Sequence, residues 1–176
     1  MNNLKVEKPK NISFTCKNCG VCCHMQPPDV DVAEQRRIES RGFRNFLSFP
    51  DELGTRWIRR KKDDSCWFLT KDNKCAIYDV RPAVCQLEPF TIVDFDYERG
   101  LIELGLNFPF ALCCVGVSDK EGSLPKNVES AALTLVQKIL VLTAKDMELP
   151  VKDVRVYAET RSRLLRRSVE LADLRF

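Results

Sequence analysis

The chain has 176 residues, 44% of them hydrophobic and 30% charged, with a formal net charge of +3. This composition excludes the low-hydrophobicity, high-charge regime of disordered chains, and a chain of this size can bury roughly 70% of its unfolded surface around one core. The small positive excess is no argument for a nucleic-acid partner. Nine cysteines are the outlying feature. Their odd number and two vicinal pairs, Cys22-Cys23 and Cys113-Cys114, suit a disulfide framework poorly. The opening MNNLKVEKPKNISF lacks an apolar h-region, so no secretory signal is expected, and no apolar run reaches the ~20 residues of a membrane span. The expectation is a cytoplasmic protein, where clustered cysteines point to metal rather than to disulfides.

Residues 1–13 are expected to be a flexible basic lead, and residues 14–28, dense in Cys and closed by Pro27-Pro28, an irregular loop. A short helix follows, with Asp31 as cap, Glu34 as its capping-box partner and Gly42 just past its end. Phe43, Phe46, Leu47 and Phe49 supply an apolar cluster ended by Pro50. Residues 66–69 and 75–78 flank a turn-like Lys71-Asp72-Asn73-Lys74 and read as a small hairpin; residues 90–97 and 101–106, around Glu98-Arg99-Gly100, read as a second. From about residue 124 the pattern is helical, with Val128, Ala131, Ala132, Leu135, Ile139 and Leu142 on one face. A further helix near 153–173 makes an antiparallel pair with it. The reading is a single α+β domain over 1–176: an irregular cysteine-rich metal-binding lobe with short β-hairpins (14–118) packed on a C-terminal antiparallel helix pair (124–176).

Cys16-x-x-Cys19-Gly20-x-Cys22-Cys23 is the densest cluster. A two-residue spacer lets both thiolates reach one ion, and Gly20 can take a positive φ that brings backbone close to the site. The spacing of Cys16, Cys19 and Cys22 matches the first three ligands of a bacterial-ferredoxin 4Fe–4S motif. Adjacent side chains diverge, so Cys23 is expected to face a second site or the core rather than to share one with Cys22. Cys66, Cys75 and Cys85 form a second group. Pro82 suits the start of a helical turn whose first amides would point at a thiolate, Arg81 can offset negative charge, and Tyr78 can donate its hydroxyl to sulfur. Cys113-Cys114, read as following an apolar strand, form a third group, of which Cys114 completes the ligand set. His24 is the only histidine, which excludes a His-rich zinc site, and it is read as a surface or supporting residue.

CKNCGVCC followed by a Cys, then C-x-I-Y-x-x-R-P-x-x-C, resembles the YkgJ-type cysteine-cluster family of zinc- or iron-chelating domains, which includes flagellin lysine N-methylases. The resemblance covers roughly residues 14–90. It implies that Cys16, Cys19, Cys22, Cys23, Cys66, Cys75 and Cys85 fall on the family's cysteine positions, and Tyr78, Arg81 and Pro82 on its flanks. Cys114-Val115-Gly116 is similar to a looser downstream element.

Zinc sites usually come as two C-x₂-C knuckles, whereas this chain has one such run plus separated single cysteines; the triple spacing therefore favours an iron–sulfur cluster over Zn²⁺. No G-x-G-x-x-G, Walker A or G-x-S-x-G motif is present, so any chemistry must sit at the metal. The basic run Arg56, Arg59, Arg60, Lys61 and Lys62 is read as a solvated edge guarded by charge before it is read as a docking surface. Aromatic residues do not interleave with it, which argues against RNA. The functional expectation is a metal-binding cysteine-cluster protein used in electron transfer, metal handling or docking to a protein partner in a larger assembly. The alternative is a lysine N-methylase-like enzyme using S-adenosylmethionine.

Overall fold

The computed structural model describes residues 4–25, 27–51 and 55–154. It is an α+β fold, as the sequence implies, and its packing divides into two units whose segments alternate along the chain. Residues 155–176, and with them most of the expected last helix, lie outside the described residues, as does the pairing of that helix with its neighbour; residues 151–154 are helical.

One unit comprises residues 1–9, 92–105 and 132–176. Its sheet has the order β1-β4-β3, with β1 at Lys5–Glu7, β3 at Phe90–Asp96 and β4 at Leu101–Leu106. The hairpin expected at 90–106 is therefore present, turning at Gly100 with φ +65°. Within the lead expected to be flexible, residues 5–7 form β1, which pairs in parallel with β4, Lys5 opposite Leu101 and Glu7 opposite Glu103. Alternation at Lys5-Val6-Glu7 is too short to announce a strand from sequence, and a parallel partner about a hundred residues away supplies the missing stabilisation.

The other unit comprises residues 10–91 and 106–131. Helix α1 (Val32–Glu39) starts with the expected capping box: Glu34 N–H donates to Asp31 Oδ1 at 2.7 Å and Asp31 N–H to Glu34 Oε2 at 3.1 Å. Gly42 follows its end with φ +88°. The core joins Val30, Ile38, Phe46, Ile58, Phe68, Ile77 and Val80, with Phe43 and Leu47 against it; Phe49, expected in this cluster, is exposed. The 66–78 segment does not form a two-stranded ladder. A single bridge, Leu69 to Cys75, and bonds such as Ala76 N–H to Phe68 O (2.9 Å) close it. Extended pairing yields here to turns that send Phe68 and Ile77 into the core.

A short ladder, β2 (Ser13–Phe14) with β5 (Val117–Ser118), is antiparallel. Between β4 and β5, Cys113 closes a short helix, α3 (Phe108–Cys113), and not a strand as expected. Asn107-Phe108-Pro109 favours this: proline disrupts a ladder but suits a first helical turn.

Helix α4 (Lys126–Asp146) is where the sequence places it. Its buried positions are Val128, Ala131, Ala132, Val136, Leu140 and Ala144, whereas Ile139 and Leu142 are 55% and 59% exposed. The expected face is correct at its start and rotated beyond it. The helix is apolar around most of its circumference, so periodicity alone does not select the buried stripe.

Candidate metal centre

Eight of the nine cysteines line one cavity of about 370 Å³: Cys16, Cys19, Cys22, Cys23, Cys66, Cys75, Cys85 and Cys114. Cys113 is exposed and stands outside it, and all nine are free of disulfides. His24, also exposed, does not line it.

Cys22 and Cys23 lie on a 3₁₀ turn, Val21–His24, entered through Gly20 at φ +75°. A Cβ at Gly20 would lie 2.5 Å from Asn73 O and 2.8 Å from Leu69 Cδ1. The close backbone approach expected of Gly20 is thus made against the loop that precedes Cys75. Gly20→Ala should cost at least about 1–2 kcal/mol from the left-handed conformation alone, read as a lowered urea midpoint; an unchanged midpoint would contradict the packing of these two loops.

The separation expected of Cys22 and Cys23 into different sites does not occur. Both side chains line the cavity, and the Cys23 thiol is hydrogen-bonded to Cys22, Cys66 and Cys75. Cys66 N–H donates to Cys23 O at 2.7 Å, fixing the two loops to each other. The Cys23 thiol holds Cys22 down to about 6 against the opposing effect of burial, with help from the Arg81 charge. The same thiol lowers Cys66 to about 7, again against burial, helped by the Phe68 N–H, and lowers Cys75. Cys23, which keeps the shared proton, is raised. Burial pushes Cys85 well up, and the charges of Cys22, Cys66 and Cys75 add to it. Cys114 is raised by burial and then by Cys19 and Cys16. Thiols that share protons in this way exchange them for a cation, because metal ligation requires thiolates. Among the described residues, no group of three or more His, Cys, Asp or Glu side chains is placed so that it could hold a metal ion as it stands.

Arg81 and Tyr78 act as the sequence suggests. Arg81 is only 8% exposed, lines the cavity, and lies 4.0 Å from the Tyr78 ring centroid. The Tyr78 hydroxyl is hydrogen-bonded to the Cys16 thiol, which raises the phenol. Helix α2 (Ala83–Leu87) carries Cys85 behind Pro82. Its first amide does not serve a thiolate, however: Ala83 N–H donates to Glu34 Oε1 at 2.7 Å. The basic run is largely engaged with its own loops. Arg59 lies 5.1 Å from the Trp67 ring centroid and donates to Asn45 O, Arg60 donates to Met25 O and Asp64 O, and Lys61 to Leu69 O.

Glu88 is a cavity residue that the sequence did not single out. Asn107 Nδ2 donates to its two carboxylate oxygens at 3.1 and 3.4 Å, yet burial raises the acid to about 8. Nothing local in Leu87-Glu88-Pro89 marks it, since its burial depends on chain that returns at Asn107. A folded value above the ordinary 4.5 means that its contribution is fully present below about pH 4.5 and lost as pH rises through about 8. Metal-free Glu88→Gln should therefore lose less stability than the parent between about pH 4.5 and about pH 8; parallel melting-temperature profiles would refute this.

Soft sulfur donors gathered on one cavity, faced by a buried guanidinium, define a cysteine-cluster metal-binding protein. Residues 15–103 match the CxxCxxCC family, described as "Putative zinc- or iron-chelating domain". The match spans about half of the chain, and the chain belongs to that family. The resemblance read from CKNCGVCC and the RPAVC segment is borne out at this level. The chain is also similar to the uncharacterized protein MJ0661 of Methanocaldococcus jannaschii, 28% identical over 138 residues covering 70% of each chain. No solved structure matches significantly. Among the described residues, no helix is long and apolar enough to cross a membrane.

Proposed function

We propose that this chain holds an iron–sulfur cluster, with Zn²⁺ as the competing occupant, and serves electron transfer, metal handling or docking within a larger assembly. The observation that carries the reading is the convergence of eight cysteines on a single cavity. Both occupants are compatible with a thiolate donor set. A cavity of about 370 Å³ favours the cluster, because a structural zinc ion is closed tightly by its four ligands and needs no such volume. Thiols free of disulfides and acidic enough to ionise near neutrality suit a reducing, cytoplasmic setting.

The test is metal and acid-labile sulfide analysis of protein purified without oxygen. Iron with matching sulfide is expected. Stoichiometric zinc without either would overturn the cluster, and protein without tightly bound metal would overturn the whole reading. The methylase alternative requires S-adenosylmethionine to bind the metal-loaded protein, which calorimetry would detect.

A further inference from the structure

Residues 56–59 are the middle of three extended segments in the unit of residues 10–91 and 106–131. On one side Asp29 bridges Trp57, with Val30 N–H donating to Arg56 O at 2.9 Å and Ile58 N–H to Pro28 O at 3.0 Å. On the other side Leu47 bridges Ile58, with Ser48 N–H donating to Trp57 O and Arg59 N–H to Phe46 O, both at 2.8 Å. In antiparallel pairing the N–H and C=O groups of alternate residues face opposite sides. Phe46 and Ser48 turn theirs inward, so those of Leu47 and Phe49 turn outward. Among the described residues, no hydrogen bond engages the backbone of Leu47 or Phe49. Pro50, which has no N–H, ends this open edge.

The edge borders a groove whose lining also includes Gln35 and Glu39 of α1, and Arg56 and Arg59. Proteins blunt open edges with charge, proline and short strands, and a guarded edge is what the basic run suggests by itself. Phe49 does not fit a guard: its side chain is 95% exposed, and a large apolar group on an open edge invites pairing. Arg56 is exposed, and among the described residues its guanidinium has no hydrogen-bond or ion-pair partner. Arg59 donates one N–H to Asn45 O and lies over Trp67, which leaves further N–H groups for an acceptor. Glu39, the carboxylate of this lining, already accepts from Gln35 Nε2 at 2.8 Å.

We infer that this groove binds an extended acidic segment of a partner protein, which adds a strand to the Leu47–Phe49 edge. Its backbone bonds to Leu47 and Phe49 set the register. Its carboxylates meet Arg56 and Arg59, and an apolar side chain covers Phe49. A polypeptide fits better than a nucleic acid, because the edge presents alternating N–H and C=O groups that another peptide backbone complements and a phosphate backbone does not. The inference goes beyond the metal-binding reading and does not depend on it.

Fluorescence anisotropy of the reduced full chain with a labelled peptide of alternating Glu and Val tests it. Saturable binding is expected, weakening as salt is added and lost when alternate backbone nitrogens of the peptide are methylated on its pairing side. Arg56→Glu should weaken binding about tenfold, since attraction becomes repulsion. Phe49→Asp should weaken it by at least as much. Both side chains are exposed, so circular dichroism and zinc uptake of the two variants should match the parent. A parent that does not bind, or that binds the Lys–Val counterpart or the methylated peptide equally well, overturns the proposal. So does preference for a single-stranded oligonucleotide, or a parent that dimerises and is returned to monomer by Phe49→Asp. Peptide binding by a chain that takes up no zinc would uphold this site and overturn the metal reading alone.

Discussion

Phe46→Ala should destabilise the protein by about 3–5 kcal/mol, a large fraction of the roughly 5–15 kcal/mol of a typical domain. Phe46 is 1% exposed and its ring centroid lies 5.2 Å from that of Phe68, which also receives Phe43 edge-on at 5.2 Å. Its backbone is fixed by Arg59 N–H to Phe46 O at 2.8 Å, and the neighbouring Leu47 bridges Ile58. The surroundings are tied by these bonds and cannot collapse into the space left by a phenyl ring, so transfer and cavity penalties add. The consequence reaches the metal ligands, because Phe68 lies between Cys66 and Cys75 in the chain and accepts the N–H of Ala76. Urea unfolding should show the loss at unchanged m-value, together with weaker zinc retention. Phe46→Leu should cost about 1.5 kcal/mol or less. A loss below about 1 kcal/mol for the alanine variant would show that this ring cluster does not anchor the thiol loops.

Glu34→Ala should cost about 2–4 kcal/mol. This carboxylate is 2% exposed and accepts from two backbone donors, Asp31 N–H at the start of α1 and Ala83 N–H at the start of α2. Alanine strands both. Each hydrogen bond to a charged group contributes about 1.5–3 kcal/mol, and water entering the gap recovers part of it. Because Cys85 is two residues beyond Ala83, loosening this joint also frees one candidate ligand. Arg37 Nη2 to Arg81 O at 3.2 Å and Gln86 Nε2 to Arg81 O at 2.7 Å remain as secondary ties, which limits the displacement. Glu34→Gln should fall between parent and alanine variant, since its amide oxygen accepts from Ala83 while its amide nitrogen opposes the Asp31 donor. Urea midpoints for the three proteins read the order directly, and equal stability of all three would exclude Glu34 as the link between the helices.

Glu34 also shows where reading the chain in one dimension stops. Asp31, three residues away, marks it as a capping residue, and that pairing is local. Its second partner, Ala83, is 49 residues distant, and no periodicity or spacing reports such a bond. The same division separates the two hairpins. The 90–106 hairpin has long alternating strands and a left-handed glycine turn, so its own residues suffice. The 66–78 segment lacks that length, and the burial of Phe68 and Ile77 replaces ladder bonds with turns. Cys22 and Cys23 diverge as neighbours in the chain, yet both line one cavity, because loops carrying Cys66 and Cys75, distant in sequence, close around Cys23.

What the chain's residues settled unaided was chemical and short-ranged: soft thiols in unusual number, a capping box, a hairpin and a long apolar helix, each decided by groups within a few positions of one another. Which sulfurs neighbour which, where Glu88 is buried, what β1 pairs with and which stripe of α4 is covered were decided by tertiary structure. Those outcomes depend on segments that meet across long loops, such as Asn18 with Cys75 over 57 positions. The free energy of such meetings comes from burial and hydrogen bonding that no local pattern encodes.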